Sequence, residues 1–356
     1  MFNRFLASAL LAASLLPAFS TPASAEVVDF NFSGPAFDRW MYPFNFSAGT
    51  ETRASLFAAP NQPGFDDRDG ELLVGFNTAV AVPTGRGRLS YKILTATFSV
   101  YVENDNAFYY DPSADPLASS FAPNDPAYVA DSDPSKPLEV WAAGYRNGFT
   151  AATFNEDSPF GGTPVVQPAE GARNVFPALL DNTQTATDVA RQVREKFAAS
   201  PMALARLFDG SVELTPGSLV PQGSEVRFDL TGVSSANYVY LQNALETGLL
   251  RLLVTTLEPT SGGPGGGTGG VTYPRVYTRE NVGAVLGYAP QLSLEVAITC
   301  AADFSGDNAV DDADFTTFVS AYNDLLDARC DLNGDTVTDD SDFVLFVVAY
   351  DALLCD

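Results

Sequence analysis

Leu94-Thr95-Ala96-Thr97-Phe98-Ser99-Val100-Tyr101-Val102 decides the fold class. Leu94, Ala96, Phe98, Val100 and Val102 take alternate positions, with Thr95, Thr97, Ser99 and Tyr101 between them. A period of two turns successive side chains to opposite faces of a strand, so one row enters a core and the other meets solvent or a second layer. Residues 71–76, 138–143, 225–230, 249–257 and 291–298 read as further strands. Their irregular separations, with no helix between most of them, favour an antiparallel sandwich over a parallel sheet. The 28 Gly, 24 Pro and 26 Phe suit many short strands joined by turns.

Three stretches break the pattern. Residues 185–208 carry Val189, Val193 and Phe197 at helical spacing before Pro201, which predicts one or two short helices decorating the sandwich. Residues 261–270 are Gly-rich but lack the Lys-Ser/Thr of a phosphate loop, which predicts a hairpin loop. Residues 110–137, rich in Pro, Asp and Ser, predict a long surface or binding loop.

Arg4, an apolar run over 5–16 and Ala23-Ser24-Ala25 predict a signal peptide cleaved after Ala25, hence a secreted, extracellular or cell-surface bacterial protein. The run is well short of the roughly 20 residues of a membrane span. The expected organisation is 1–25 signal, 26–298 β-sandwich and 299–356 a separate acidic tail. The formal net charge of −25 disfavours nucleic acid and anionic lipid as partners. The absence of His removes Ser-His-Asp and Cys-His nucleophile systems and His-ligated zinc.

Residues 300–356 hold fourteen Asp, no Glu and one basic residue, Arg329. Oxygen donors recur there at loop positions one, three, five, nine and twelve: Asp303, Ser305, Asp307, Asp311 and Asp314, with Ala309 offering its carbonyl at position seven. Twenty-eight residues later come Asp331, Asn333, Asp335, Val337 by carbonyl, Asp339 and Asp342. Alternating hard oxygens suit a calcium ion, which takes six to eight of them. After each loop, Phe315, Phe318, Val319, Tyr322, Leu325 and Leu326 repeat as Phe343, Phe346, Val347, Tyr350, Leu353 and Leu354, each set along one helix face. Neither stripe can be buried alone, so the two repeats should pack about a pseudo-twofold axis. Crowded carboxylates repel by a few kcal/mol per pair at an effective dielectric of about 20, so folding of the tail should be coupled to two calcium ions.

The phrases Asp303-Phe-Ser-Gly-Asp-Asn-Ala-Val-Asp-Asp-Ala-Asp-Phe315 and Asp331-Leu-Asn-Gly-Asp-Thr-Val-Thr-Asp-Asp-Ser-Asp-Phe343 resemble a type I dockerin, a pair of EF-hand-like calcium loop-helix units that docks onto cohesin domains. The resemblance implies a small α-helical domain and a cohesin-like or cell-surface partner. It departs at loop position six, where Gly is usual: Asn308 tolerates left-handed backbone, but the β-branched Thr336 does so poorly, so the second site should be the weaker. Asp312-Ala313 and Asp340-Ser341, at the positions resembling the cohesin-recognition pair, also differ from the usual hydroxyls. Antiparallel packing would bring Cys300 and Cys355 together, and such a bridge stabilises by roughly 4 kcal/mol in the chain-entropy model; a pairing through Cys330 is the rival.

Asp67-Arg-Asp-Gly-Glu-Leu-Leu-Val-Gly-Phe76, Ile93-Leu-Thr-Ala-Thr-Phe98, Arg227-Phe-Asp-Leu-Thr231, Tyr277-Thr-Arg-Glu-Asn281 and Ala289-Pro-Gln-Leu-Ser-Leu294 resemble, in order, the DNRLRE family of secreted β-sandwiches. That likeness implies a jelly-roll-like, carbohydrate-binding-module-like domain. Polysaccharide binding needs open aromatic faces, and Trp40, Tyr42, Trp141 and Tyr145 are candidates, with core packing the competing role. Arg68 and Arg279 are expected to pair with carboxylates. The combined expectation is a mainly β, non-catalytic, glycan-binding or adhesion sandwich carrying a calcium-dependent docking tail. A carboxylate-dependent glycoside hydrolase or lyase and a purely structural surface protein are the alternatives, although Glu139, Glu156 and Glu170 lie in no active-site phrase.

Overall fold

The computed structural model of the protein describes residues 26–45, 47–60, 62–133, 135–161, 171–260, 272–281, 283, 286–298, 302–305, 310–323, 330, 332 and 337–352. The expected signal peptide, the Gly-rich stretch at 261–270 and the expected Cys300–Cys355 pairing lie outside them. Among the described residues the strands are β1 Glu26–Phe32, β2 Phe37–Met41, β3 Arg53–Ser55, β4 Phe57–Ala58, β5 Arg68–Asn77, β6 Tyr91–Tyr101, β7 Leu138–Tyr145, β8 Val175–Leu180, β9 Ala186–Asp188, β10 Ala203–Leu204, β11 Arg206–Asp209, β12 Val212–Glu213, β13 Glu225–Asp229, β14 Leu249–Thr256, β15 Arg275–Tyr277 and β16 Gln291–Ile298. The α-helices are α1 Gln192–Glu195, α2 Ser235–Thr247, α3 Asp312–Asn323 and α4 Asp340–Ala352.

The fold is mainly β and its strands pair antiparallel. One sheet has the order β1-β16-β6-β13-β11-β12 and a second β2-β5-β14-β7-β8-β9, with a small β15-β3 pair beside them. Alternation explains how the two large sheets meet. Ala96, Phe98 and Val100 of β6 share one core with Phe228 of β13 and Leu292, Leu294 and Val296 of β16, against Leu72, Val74 and Phe76 of β5 and Leu252 and Val254 of β14. Phe98 stacks on Phe228 with ring centroids 5.7 Å apart. The opposite row of the second sheet, including Leu73 and Leu253, is covered by Phe154 and Phe160 from the segment after β7, so β5 is buried on both faces.

The expected helices at 185–208 reduce to the single turn α1, flanked by β9, β10 and β11. Pairing with neighbouring strands overrides the helical spacing: β9 lies on β8, and the Val189 amide donates to Pro177 O at 3.0 Å. The longer helix of the sandwich is α2, which buries Ala236, Val239, Leu241, Ala244 and Leu245, the last three within the main core. It ends at Gly248, whose φ of 74° and close approach to Ala79 leave no room for a side chain.

The Asp67-Arg68-Asp69-Gly70-Glu71 run enters β5 and builds a buried ionic network. Arg173 is fully buried and reaches Asp66 at 3.0 Å, Asp69 at 3.4 Å and Glu71 at 2.7 Å. Arg68 donates to Glu139 at 2.6 and 3.1 Å, and Arg194 reaches Asp67 at 2.9 Å. Gly70 lets β4 close over the run, since a Cβ there would lie 2.5 Å from the Phe57 ring and from Ser55 O. Three carboxylates outnumber the one guanidinium of Arg173. Burial therefore pushes Glu71 up to about 8 and Asp69 up to about 7 despite Arg173 beside them.

A carboxyl whose pKa is higher folded than unfolded stabilises fully below the unfolded value, and that contribution is lost as pH rises through the folded value. The sandwich is therefore expected to unfold at lower urea concentration at pH 9 than at pH 5. The decline should be shallower in Glu71→Gln; equal slopes in the two proteins would contradict the assignment.

Candidate metal centre

The tail is built as two copies of one unit. α3 and α4 start 28 residues apart and bury Phe318, Ala321 and Phe346 in a small core with Ala302 and Cys330. Phe318 and Phe346 occupy equivalent positions and stack face to face, centroids 3.9 Å apart and planes 2° from parallel. Phe304 meets both rings edge-on. The Tyr322 hydroxyl donates to Asp340 Oδ1 at 3.0 Å, and the Tyr350 hydroxyl to Asp312 Oδ1, also at 3.0 Å. Each helix thus sends the tyrosine near its end to the start of the other, which is antiparallel pairing about a pseudo-twofold axis.

The loop ends repeat closely, with one of the amides bound by the position-twelve aspartate taken one position earlier in the second loop. Asp314 is buried, and its two oxygens accept the Ser305 amide at 2.7 Å and the Asp311 amide at 2.8 Å. Asp342 is buried too and accepts the Leu332 amide at 2.8 Å and the Asp339 amide at 2.9 Å. Asp311 Oδ1 takes the Ala313 amide at 2.7 Å, and Asp339 Oδ1 takes the Ser341 amide at 2.8 Å. Burial alone would raise Asp314, but the amides of Ser305 and Asp311 and the side chains of Ser305 and Asp303 hold it below the usual carboxylate range. Carboxylates in the first turn of each helix also meet the positive end of the helix dipole.

Of the residues expected to bind metal, the structure brings Asp303, Ser305, Asp311 and Asp314 into one loop; the Ser305 hydroxyl lies 3.4 Å from Asp303 Oδ1. Asp339 and Asp342 belong to the second loop, beside an exposed Val337. Asp307, Ala309, Asp331, Asn333 and Asp335 lie outside the described residues. The donors present are all oxygens, so the set suits a hard cation. No protein-family model matches the chain, and no curated protein matches it.

The aromatic candidates divide. Trp141 is 1% exposed, donates from Nε1 to Glu139 Oε2 at 3.0 Å and has Arg68 over its ring, so its place is in the packed interior rather than on an open face. Trp40 is half-buried and stacks on Tyr42 at 4.7 Å, at the edge of a cluster with Phe44 and Phe57. Tyr145 is half-buried, and burial raises its hydroxyl. Arg279 pairs with Glu156 and Glu280 at 2.5 and 2.7 Å, so both singled-out arginines engage carboxylates. Glu170 lies outside the described residues. Sequence reading missed two groups of three carboxylates whose oxygens lie within 4.8 Å: Asp38-Glu156-Glu280, whose members come from separate segments, and Asp111-Asp115-Asp133, which lie within the one loop at 110–137 but join residues some twenty positions apart.

Because the Phe318–Phe346 stack is shared, Phe346→Ala should loosen both helices, at a cost of about 3–5 kcal/mol. Brief thermolysin exposure of the full chain should show cleavage in α3 as well as α4 rising by roughly a hundredfold or more. Cleavage confined to α4 would contradict the shared core.

Proposed function

We propose that the protein is a secreted, non-catalytic extracellular protein in which a jelly-roll-like, glycan-binding or adhesion sandwich carries a calcium-dependent, dockerin-like docking tail. The observation that carries this reading is the 28-residue duplication: matching loop donors, matching buried position-twelve aspartates and tyrosines exchanged between the two helices. Asp303, Ser305, Asp307, Asp311 and Asp314 with the Ala309 carbonyl would hold one ion. Asp331, Asn333, Asp335, Asp339 and Asp342 with the Val337 carbonyl would hold the other. Calcium would supply the positive charge that lets these carboxylates remain close.

The chain's own groups do the rest. The position-twelve aspartates tie each loop to its helix, and the Phe318–Phe346 stack makes the two units depend on each other. A docking surface made of both helices would then exist only when the loops are closed, with a cohesin-like or cell-surface protein as the partner. On the sandwich, the partly exposed Trp40–Tyr42 stack would offer its aromatic faces to a polysaccharide.

Equilibrium dialysis of metal-stripped full chain against calcium tests the proposal. Asp314→Asn and Asp342→Asn should each bind one ion fewer than the parent. Equal stoichiometry in all three proteins would overturn it.

A further inference from the structure

The loop joining β6 to β7 gathers acidic side chains at its neck. Tyr110 is fixed by backbone bonds to Gly217 and Ser218, at 2.7 and 2.8 Å. At the other end the Ser135 hydroxyl and Lys136 amide donate to Glu258 at 3.0 and 2.9 Å. Between these anchors, carboxylate oxygens of Asp111, Asp115 and Asp133 lie within 4.8 Å of one another. Asp131 joins them through Lys136, which also contacts Asp115 at 2.8 Å and the Ser119 hydroxyl at 2.6 Å. Four carboxylates thus face one ammonium.

A second observation points to a cation. Asp111 is only 6% exposed, and its Oδ1 accepts the Ser113 amide and hydroxyl at 2.8 and 2.6 Å, while its Oδ2 is buried and accepts no hydrogen bond from the protein. A buried carboxylate oxygen with no donor carries a desolvation penalty that a cation would remove. The sequence fits as well: Asp111-Pro-Ser113-Ala-Asp115 places oxygens at alternate positions in the same Asp-x-Ser-x-Asp order as Asp303-Phe-Ser305-Gly-Asp307. In the other three-carboxylate group Arg279 pairs with two of the members, whereas Lys136 contacts one of the three here.

We infer that residues 111–133 close around a divalent cation of the calcium type, held by Asp111, Asp115 and Asp133 at the neck of the loop. The ion ties the chain leaving β6 to the chain entering β7 and so fixes the shape of the twenty-odd residues between. This site is independent of the tail.

Amide hydrogen exchange on metal-stripped full chain, with and without calcium chloride, tests it. Exchange across residues 111–133 should slow by about tenfold once calcium exceeds its dissociation constant tenfold. Asp133→Asn, at an exposed position that folding tolerates, should abolish that slowing and leave any response of α3 and α4 as in the parent. Equal exchange with and without calcium in the parent loop would overturn the inference, as would slowing retained in both Asp133→Asn and Asp111→Asn. Loop and tail give separate peptides, so either site can fail without the other.

Discussion

Carboxylates that folding brings together must be neutralised, and this chain has 44 acidic side chains against 19 basic ones. Where arginine is at hand the sandwich uses it at the points of greatest burial. Arg173 gathers Asp66, Asp69 and Glu71 beneath the second sheet, Arg68 holds Glu139, and Arg194 holds Asp67. Losing one partner of such a buried group is far more costly than losing a surface pair, because the remaining charge has no water to turn to. The close approach at Gly70 and the burial of β5 on both faces depend on this neutralisation.

The same constraint has no arginine solution in the tail. Fourteen aspartates there share one basic residue, yet their amide bonds place several of them at fixed points around two short loops. Backbone N–H groups and helix dipoles supply part of the positive potential. The remainder is the charge we propose a divalent ion to bring. The neck of the β6–β7 loop is intermediate, with one lysine for four aspartates.

Local patterns carried much of this into the sequence. The alternation at 94–102 lies within β6 and its immediate continuation, and residues 291–298 coincide with β16, because a strand with one face in a core must alternate. The 28-residue spacing of the two tail helices was equally legible. Helix α2 was not: Tyr238, Val239 and Tyr240 read as strand formers, and what signals the helix is the Ser234 and Gly248 boundary with apolar residues three and four apart between them. Of the helical spacing at 189–197 the single turn α1 forms, because pairing with β8 holds 186–188 and Lys196 turns left-handed at φ 53°. Arg173 could not be linked to its partners by spacing, lying 105 residues from Arg68 whose carbonyl it also binds. Trp141 offered no clue to its burial, since an indole serves a core and a binding face equally well until its Nε1 partner is known.

Metal dependence of the tail's two helices is the central claim. Amide exchange of α3 and α4 in the full chain, compared in calcium and in excess chelator, addresses it directly. Slow exchange in calcium that becomes fast in chelator, in both helices together, is the predicted result. Identical exchange in the two conditions would contradict the claim.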